Sequence, residues 1–197
     1  MQLTHESLYG LEQYARIRSE FRTKVMAHKE NRRLAIGSHA TLYFEDSLTM
    51  QYQVQEMLRL ERIFEPESIQ QELDVYNPLI PDGSNWKATF MLEYEDVPAR
   101  RAALARLIGI EKTIWIQVKE YDKIYAIANE DISQKSRDKV SDEKTSAVHF
   151  LRFELTPEIV AAIKLGVIVR AGIAHPNYSV EVELPPPVRD SLADDLS

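Results

Sequence analysis

The stretch WKATFMLEY, Trp86 to Tyr94, decides the fold. Trp86, Ala88, Phe90, Leu92 and Tyr94 alternate with Lys87, Thr89, Met91 and Glu93, the period of a half-buried strand. Upstream the period is helical. From about Leu8 to Arg32, Leu11, Tyr14, Ile17, Phe21 and Val25 recur at three- and four-residue spacing on one face. A short extended stretch follows, Leu34 to Ile36 and Thr41 to Glu45 about a turn at Gly37. Asp46 or Ser47 then caps a second helix running to about Phe64. Pro66 fits the first turn of a third, which presents Ile69, Leu73 and Tyr76 and ends near Asn77-Pro78.

Beyond Tyr94, Pro98 opens a short Ala/Arg/Leu helix that Gly109 can end. Thr113–Lys119 and Ile124–Ala128 read as two strands joined by a turn, and Ala147–Leu155 as another. Thr156-Pro157 starts a short helix. Val167–Ile173 and Tyr178–Leu184 form a hairpin turning at His175-Pro176-Asn177. Pro185-Pro186-Pro187 ends the sheet, because proline cannot donate to a ladder. The expected class is α+β: N-terminal helices packed on a mostly antiparallel sheet of five to six strands. One domain of 197 residues is expected, helical over about 1–80 and sheet over about 85–185, with a short mobile acidic tail at 186–197. Residues 129–144, dominated by charged and polar side chains, read as a long exposed loop.

Composition excludes several classes. Hydrophobic residues make up 44% and charged residues 28%, which is globular rather than disordered. The net charge of −7 disfavours non-specific nucleic-acid binding. The absence of cysteine removes disulfides, thiolate nucleophiles, thiolate zinc sites and cysteine-ligated iron–sulfur clusters. No secretory signal and no apolar run long enough for a bilayer is visible, so a cytoplasmic location and no membrane are expected. No P-loop, G-x-G-x-x-G or G-x-S-x-G motif occurs, and no catalytic residue is assigned.

Charge is segregated along the chain. Arg16 to Arg33 holds seven Lys/Arg against two acids, and Glu45 to Asp74 holds eight acids against two arginines. Pairing between these helices is the first reading, with an anion site at Arg18, Arg32 and Arg33 as the lesser one. On a helical wheel, Glu61 falls in a stripe with Met50, Val54, Met57 and Phe64. A carboxylate there must be paired, hydrogen-bonded, protonated or metal-bound, and a salt bridge to an arginine of the first helix, such as Arg18 or Arg32, is the simplest of these. Glu72 beside Tyr76 raises the same question, and Glu56 is a further candidate. His149 is a core histidine or a ligand, and His175 a turn residue or a ligand. Two imidazoles with one or two carboxylates would suit iron or manganese, although no H-x-H or H-E-x-x-H spacing is present.

KENRRLAIGSHATLYFEDSLTMQYQVQEMLRLERI, ELDVYNPLIP, TSAVHFLRFEL and AHPNY, in this order, resemble an uncharacterised bacterial family known as a domain of unknown function. The matching positions include Arg32, Arg33, Glu45, Gln55, Glu56, Glu61, Glu72, Tyr76, Asn77, His149 and His175, without roles. The resemblance implies an oxidative-stress or electron-transfer setting, because members are often encoded beside rubrerythrin-like di-iron proteins and iron–sulfur oxidoreductases. Two functions follow as expectations. One is an accessory protein binding iron or manganese through His149, His175, Glu61 and Glu72 or Glu56. The other is a non-enzymatic interaction module docking on a rubrerythrin-like or iron–sulfur partner through the 129–144 loop or the C-terminal tail.

Overall fold

The change of period is realised as a change of layer. In the computed structural model, which describes residues 2–128 and 144–197, the first helices are α1 (Leu11–Glu30), α2 (Ser47–Glu61) and α3 (Pro66–Tyr76). They cover part of one face of a sheet formed by β1 (Arg33–Ala35), β2 (Ala40–Glu45), β3 (Asn85–Leu92), β6 (Ile127–Ala128) and β7 (Val148–Glu154). Its order is β1-β2-β3-β7-β6, antiparallel throughout. A second antiparallel sheet, ordered β5-β4-β8-β9, contains β4 (Ile114–Val118), β5 (Ile124–Tyr125), β8 (Val169–His175) and β9 (Tyr178–Glu183). Three shorter helices complete the described residues: α4 (Val97–Arg106), α5 (Pro157–Lys164) and α6 (Pro186–Ala193). The architecture is α+β with N-terminal helices, as the periodicity predicts.

The main core lies between the sheets. Leu42, Phe44, Trp86, Phe90, Leu151 and Phe153 of the first meet Ile114, Ile116, Val169, Ala171 and Ile173 of the second. The even-numbered residues of β3 supply the buried set that the alternation predicts. Removing a ring as deep as that of Phe90 would cost about 3–5 kcal/mol. No helix among the described residues is long and apolar enough to cross a membrane.

Three expectations are corrected. Two sheets replace the single one because the segment 124–128 serves both. Ile124–Tyr125 pairs with β4 and Ile127–Ala128 with β7, and the chain crosses at Ala126, whose N–H donates to Ile114 O at 2.8 Å. Strands that switch sheets make such corners. The C-terminal tail forms α6 and an end that packs on the core. Val188, Leu192 and Leu196 recur every fourth residue and are all buried. Trp86 Nε1 donates to Leu192 O at 2.9 Å, and Ser197 N donates to Gly83 O at 3.0 Å. The three prolines therefore end a strand and also start a helix.

The third correction concerns α2. It ends at Glu61, where Arg62 adopts φ 55° and its N–H caps Leu58 O. Its buried apolar side chains are Met50, Val54 and Leu58, a stripe turned away from Met57. Glu61 is exposed, and Phe64 lies beyond the helix at 69% exposure. Of the 129–144 loop, all but Lys144 lies outside the described residues.

Candidate functional site

Strand parity builds the site. Since Leu42, Phe44, Ala88, Phe90 and Leu151 point into the inter-sheet core, their neighbours point to the helical side. There the register sets Glu45, Lys87 and Arg152 in one row, Tyr43, Thr89 and Phe150 in the next, and Thr41, Met91 and Val148 in the third. The helices reach the first two rows: Thr49 of α2 donates to Glu45, Pro78 after α3 accepts from Lys87, and Phe150 packs on the α2–α3 core. Met91 and Val148, with Glu93 beyond them, instead floor an open cleft of about 890 Å³. Arg33 of β1, Ser38 and His39 of the β1–β2 turn, and Asp96, Ala99 and Arg100 at the start of α4 form its walls.

Two of the three acids of this cleft, Glu93 and Asp96, accept hydrogen bonds; Glu95 and the two arginines make no ion pair with a described residue. Glu93 accepts from Thr41 Oγ1 at 2.6 Å and from the Tyr43 hydroxyl at 3.2 Å. Asp96 caps α4, accepting from Ala99 N at 2.8 Å. The His39 ring stacks on Tyr94 with centroids 4.0 Å apart, and its Nδ1 donates to Glu93 O at 3.0 Å. Burial, reinforced by Glu93, raises the Tyr43 pKa; burial, reinforced by Tyr178, raises that of Tyr94. Arg33 lies over the Tyr43 ring at 5.7 Å. Neither Arg33 nor Arg100 makes an ion pair with a described residue.

The β8–β9 turn holds these walls in place. Tyr178 donates to Ile36 O at 2.7 Å and accepts from His39 N at 3.2 Å, joining the second sheet to the β1–β2 turn. Gly37 permits this approach: its φ is +78°, and a Cβ there would sit 2.7 Å from the Tyr178 hydroxyl oxygen. Asn177 Nδ2 donates to Arg106 O at 2.9 Å, and His175 Nε2 to Ile108 O at 3.2 Å, fixing the end of α4. His175 Nδ1 accepts from Asn177 N at 3.2 Å, so both ring nitrogens are engaged inside the protein.

The other expected site residues are dispersed. His149 belongs to the first sheet and faces its core, 6.2 Å from Phe90, with Nε2 at 3.0 Å from Ser146 O and 3.1 Å from Thr145 Oγ1. Burial pushes its pKa down, while the charge of Glu111 acts the other way. Glu56 turns to α1: Arg18 donates to both of its oxygens at 2.8 Å and Tyr14 donates at 2.8 Å. The Arg18 guanidinium holds its pKa down at about 2. Glu72 on α3 is half-buried, and burial together with the nearby Glu61 raises its pKa. Glu61 and Glu72 are thus the two expected ligands close enough for one charge to act on the other. Among the described residues, no group of three or more His, Asp or Glu is placed to hold a metal ion.

The expected Glu61 ion pair is not among the salt bridges of the described residues. Arg18 is taken by Glu56. Arg32 is buried, donating to Phe44 O and Glu45 O at 3.1 Å and pairing with Asp195 at 2.5 Å; it lies 3.5 Å from Asp46. Asp46 in turn accepts from His28, which closes a polar cluster joining α1, α2 and the C-terminal end. Of the three arginines read as an anion site, Arg33 alone reaches the cleft. Arg100, His39 and Tyr94 were not singled out by sequence; the readable signal was Glu93, which extends the solvent-side parity of β3.

Comparison with solved structures finds a crystal structure described as a novel protein of unknown function from Burkholderia pseudomallei. It is 48% identical, with 100% of each chain covered and a TM-score of 0.92. No match was found among curated proteins. A family model described as protein of unknown function (DUF3501) matches residues 2–196, and the chain belongs to that family.

Proposed function

We propose that the chain is a non-enzymatic binding module whose cleft receives an extended, acidic segment of a partner protein. The observation that carries this reading is the pair of arginines on the cleft walls that make no ion pair with a described residue. Glu93 and Asp96 accept hydrogen bonds within the chain, Glu95 lines the same cleft, and Arg33 and Arg100 have no carboxylate partner among the described residues. Two such guanidiniums above a floor containing Met91 and Val148 suit a strand in which carboxylates alternate with apolar side chains. The dispersal of His149, His175 and Glu56, each satisfied by its own partners, supports binding over a metal-dependent role. The rubrerythrin-like or iron–sulfur protein implied by the resemblance is the proposed partner.

Isothermal titration of the chain with the purified rubrerythrin-like protein tests the proposal. The double variant Arg33→Ala/Arg100→Ala should lose roughly 25-fold in affinity, taking about 1 kcal/mol for each exposed charge pair. Its melting temperature should be unchanged, and added salt should weaken wild-type binding. Equal affinity of variant and wild type would refute the assignment of the cleft.

A further inference from the structure

We propose that a second, smaller cavity, beneath Pro78 at the other end of the same sheet face, binds a short-chain monocarboxylate. It shares no lining residue with the cleft, so it stands or falls separately from the reading above. The cavity measures about 140 Å³ and is bounded by Pro78, Leu79, Lys87, Ile127, Phe150 and Arg152.

Two cations face it from adjacent strands. Lys87 and Arg152 are directly paired in the β3–β7 register, an arrangement in which like charges destabilise a sheet. The acids nearby are turned to other donors. Glu45, opposite Lys87 on β2, accepts from Thr49 and Thr89; Asp82 accepts from Ser84 and Asn85. Arg152 forms an ion pair with Glu154, Nε to Oε1 at 2.6 Å, and its terminal nitrogens donate no hydrogen bond to a described residue. Lys87 Nζ donates to Pro78 O at 3.1 Å and keeps two further N–H groups. Burial, with Arg152 as the second cause, lowers the Lys87 pKa, and an anion seated between the two side chains would offset both effects.

Size and lining narrow the ligand. An apolar cavity of about 150 Å³ takes one benzene, so this one admits about six non-hydrogen atoms. A carboxylate carrying a three-carbon tail has that size. Leu79, Phe150 and Ile127 offer the tail an apolar wall and offer a phosphate or dicarboxylate nothing.

Calorimetric titration with sodium butyrate is the test, with 1-butanol, octanoate and inorganic phosphate as comparison probes. Butyrate should bind saturably at one per chain, and the other three should not. Lys87→Met and Arg152→Met should each weaken butyrate about tenfold or more, the size of a lost charge-assisted hydrogen bond. Should a variant fail to fold, trinitrophenylation of Lys87 in the wild-type protein, slowed by butyrate and unaffected by butanol, gives the same readout. Absence of saturable binding, equal binding of phosphate, or full affinity in both variants would overturn the proposal.

Discussion

Replacing Glu56 by Gln tests whether this carboxylate is a structural ion pair or a reserve ligand. In the native protein it receives Arg18 through both oxygens and the Tyr14 hydroxyl, each at 2.8 Å, with Arg59 at 3.5 Å. Glutamine keeps one acceptor but turns an N–H₂ toward the guanidinium. The fall of the pKa from the ordinary 4.5 to about 2 would correspond to about 3 kcal/mol if unscreened. Arg18 is 36% exposed, and solvent screening reduces the figure to about 1–2 kcal/mol. A loss of that size lowers the melting temperature by about 3–6 °C in a chain of this length. The pH dependence follows from the sign. Because the folded-state pKa is depressed, the contribution is complete above 4.5 and fades as pH falls toward 2. Thermal unfolding followed by circular dichroism should therefore show a gap between wild type and Glu56→Gln at pH 7 that is more than half closed at pH 3. An equal gap at both values, or none at pH 7, would refute the ion-pair account.

Leu192→Ala should destabilise the protein by about 2–4 kcal/mol in urea unfolding, because Leu192 is fully buried against the main core. Trp86 fluorescence should shift to the red as its acceptor on α6 loosens; an unchanged spectrum and midpoint would show that the C-terminal helix is not docked. Burial lowers the His149 pKa, so below about 6.5 the unfolded chain takes up a proton that the folded chain resists. Stability should thus fall as pH drops through that region, and His149→Gln should flatten the fall; an identical slope in the variant would contradict it. Protein grown with iron and manganese should carry far less than one metal per chain by elemental analysis. Stoichiometric metal lost in His149→Ala would restore the metal reading.

Elements whose period is set by their own residues were legible. β3 shows its two faces in the alternation from Trp86 to Tyr94, and α1 shows Tyr14, Phe21 and Val25 at helical spacing. The errors came where tertiary packing chooses between near-equal options. On α2, the neighbours Met57 and Leu58 compete for the buried face; the core takes Leu58, which swings Glu61 into solvent. In 124–128 the alternation is genuine, but it cannot say that half the segment pairs with each sheet. The tail carried its signal in Val188, Leu192 and Leu196, which its acids and prolines masked.

The site was less legible than the fold, for the same reason. His175 reads as a turn residue and Tyr178 as the start of a strand, yet their partners, Ile108 and Ile36, lie 67 and 142 positions away in sequence. Arg33 was singled out within a basic run that also holds Arg18 and Arg32. Nothing local separates an arginine that pairs with Glu56, one that is buried against Asp195, and one that is left facing a cleft. Arg100 joins Arg33 only through the fold.

The role proposed for this cleft is recognition of an acidic segment. Its most direct test is a nuclear magnetic resonance titration of isotope-labelled protein with an extended synthetic peptide in which glutamate alternates with valine. Saturable shifts are expected at Arg33, His39, Met91, Glu93 and Arg100, abolished in Arg33→Ala/Arg100→Ala. Shifts clustered on another face, or none at saturating peptide, would contradict it.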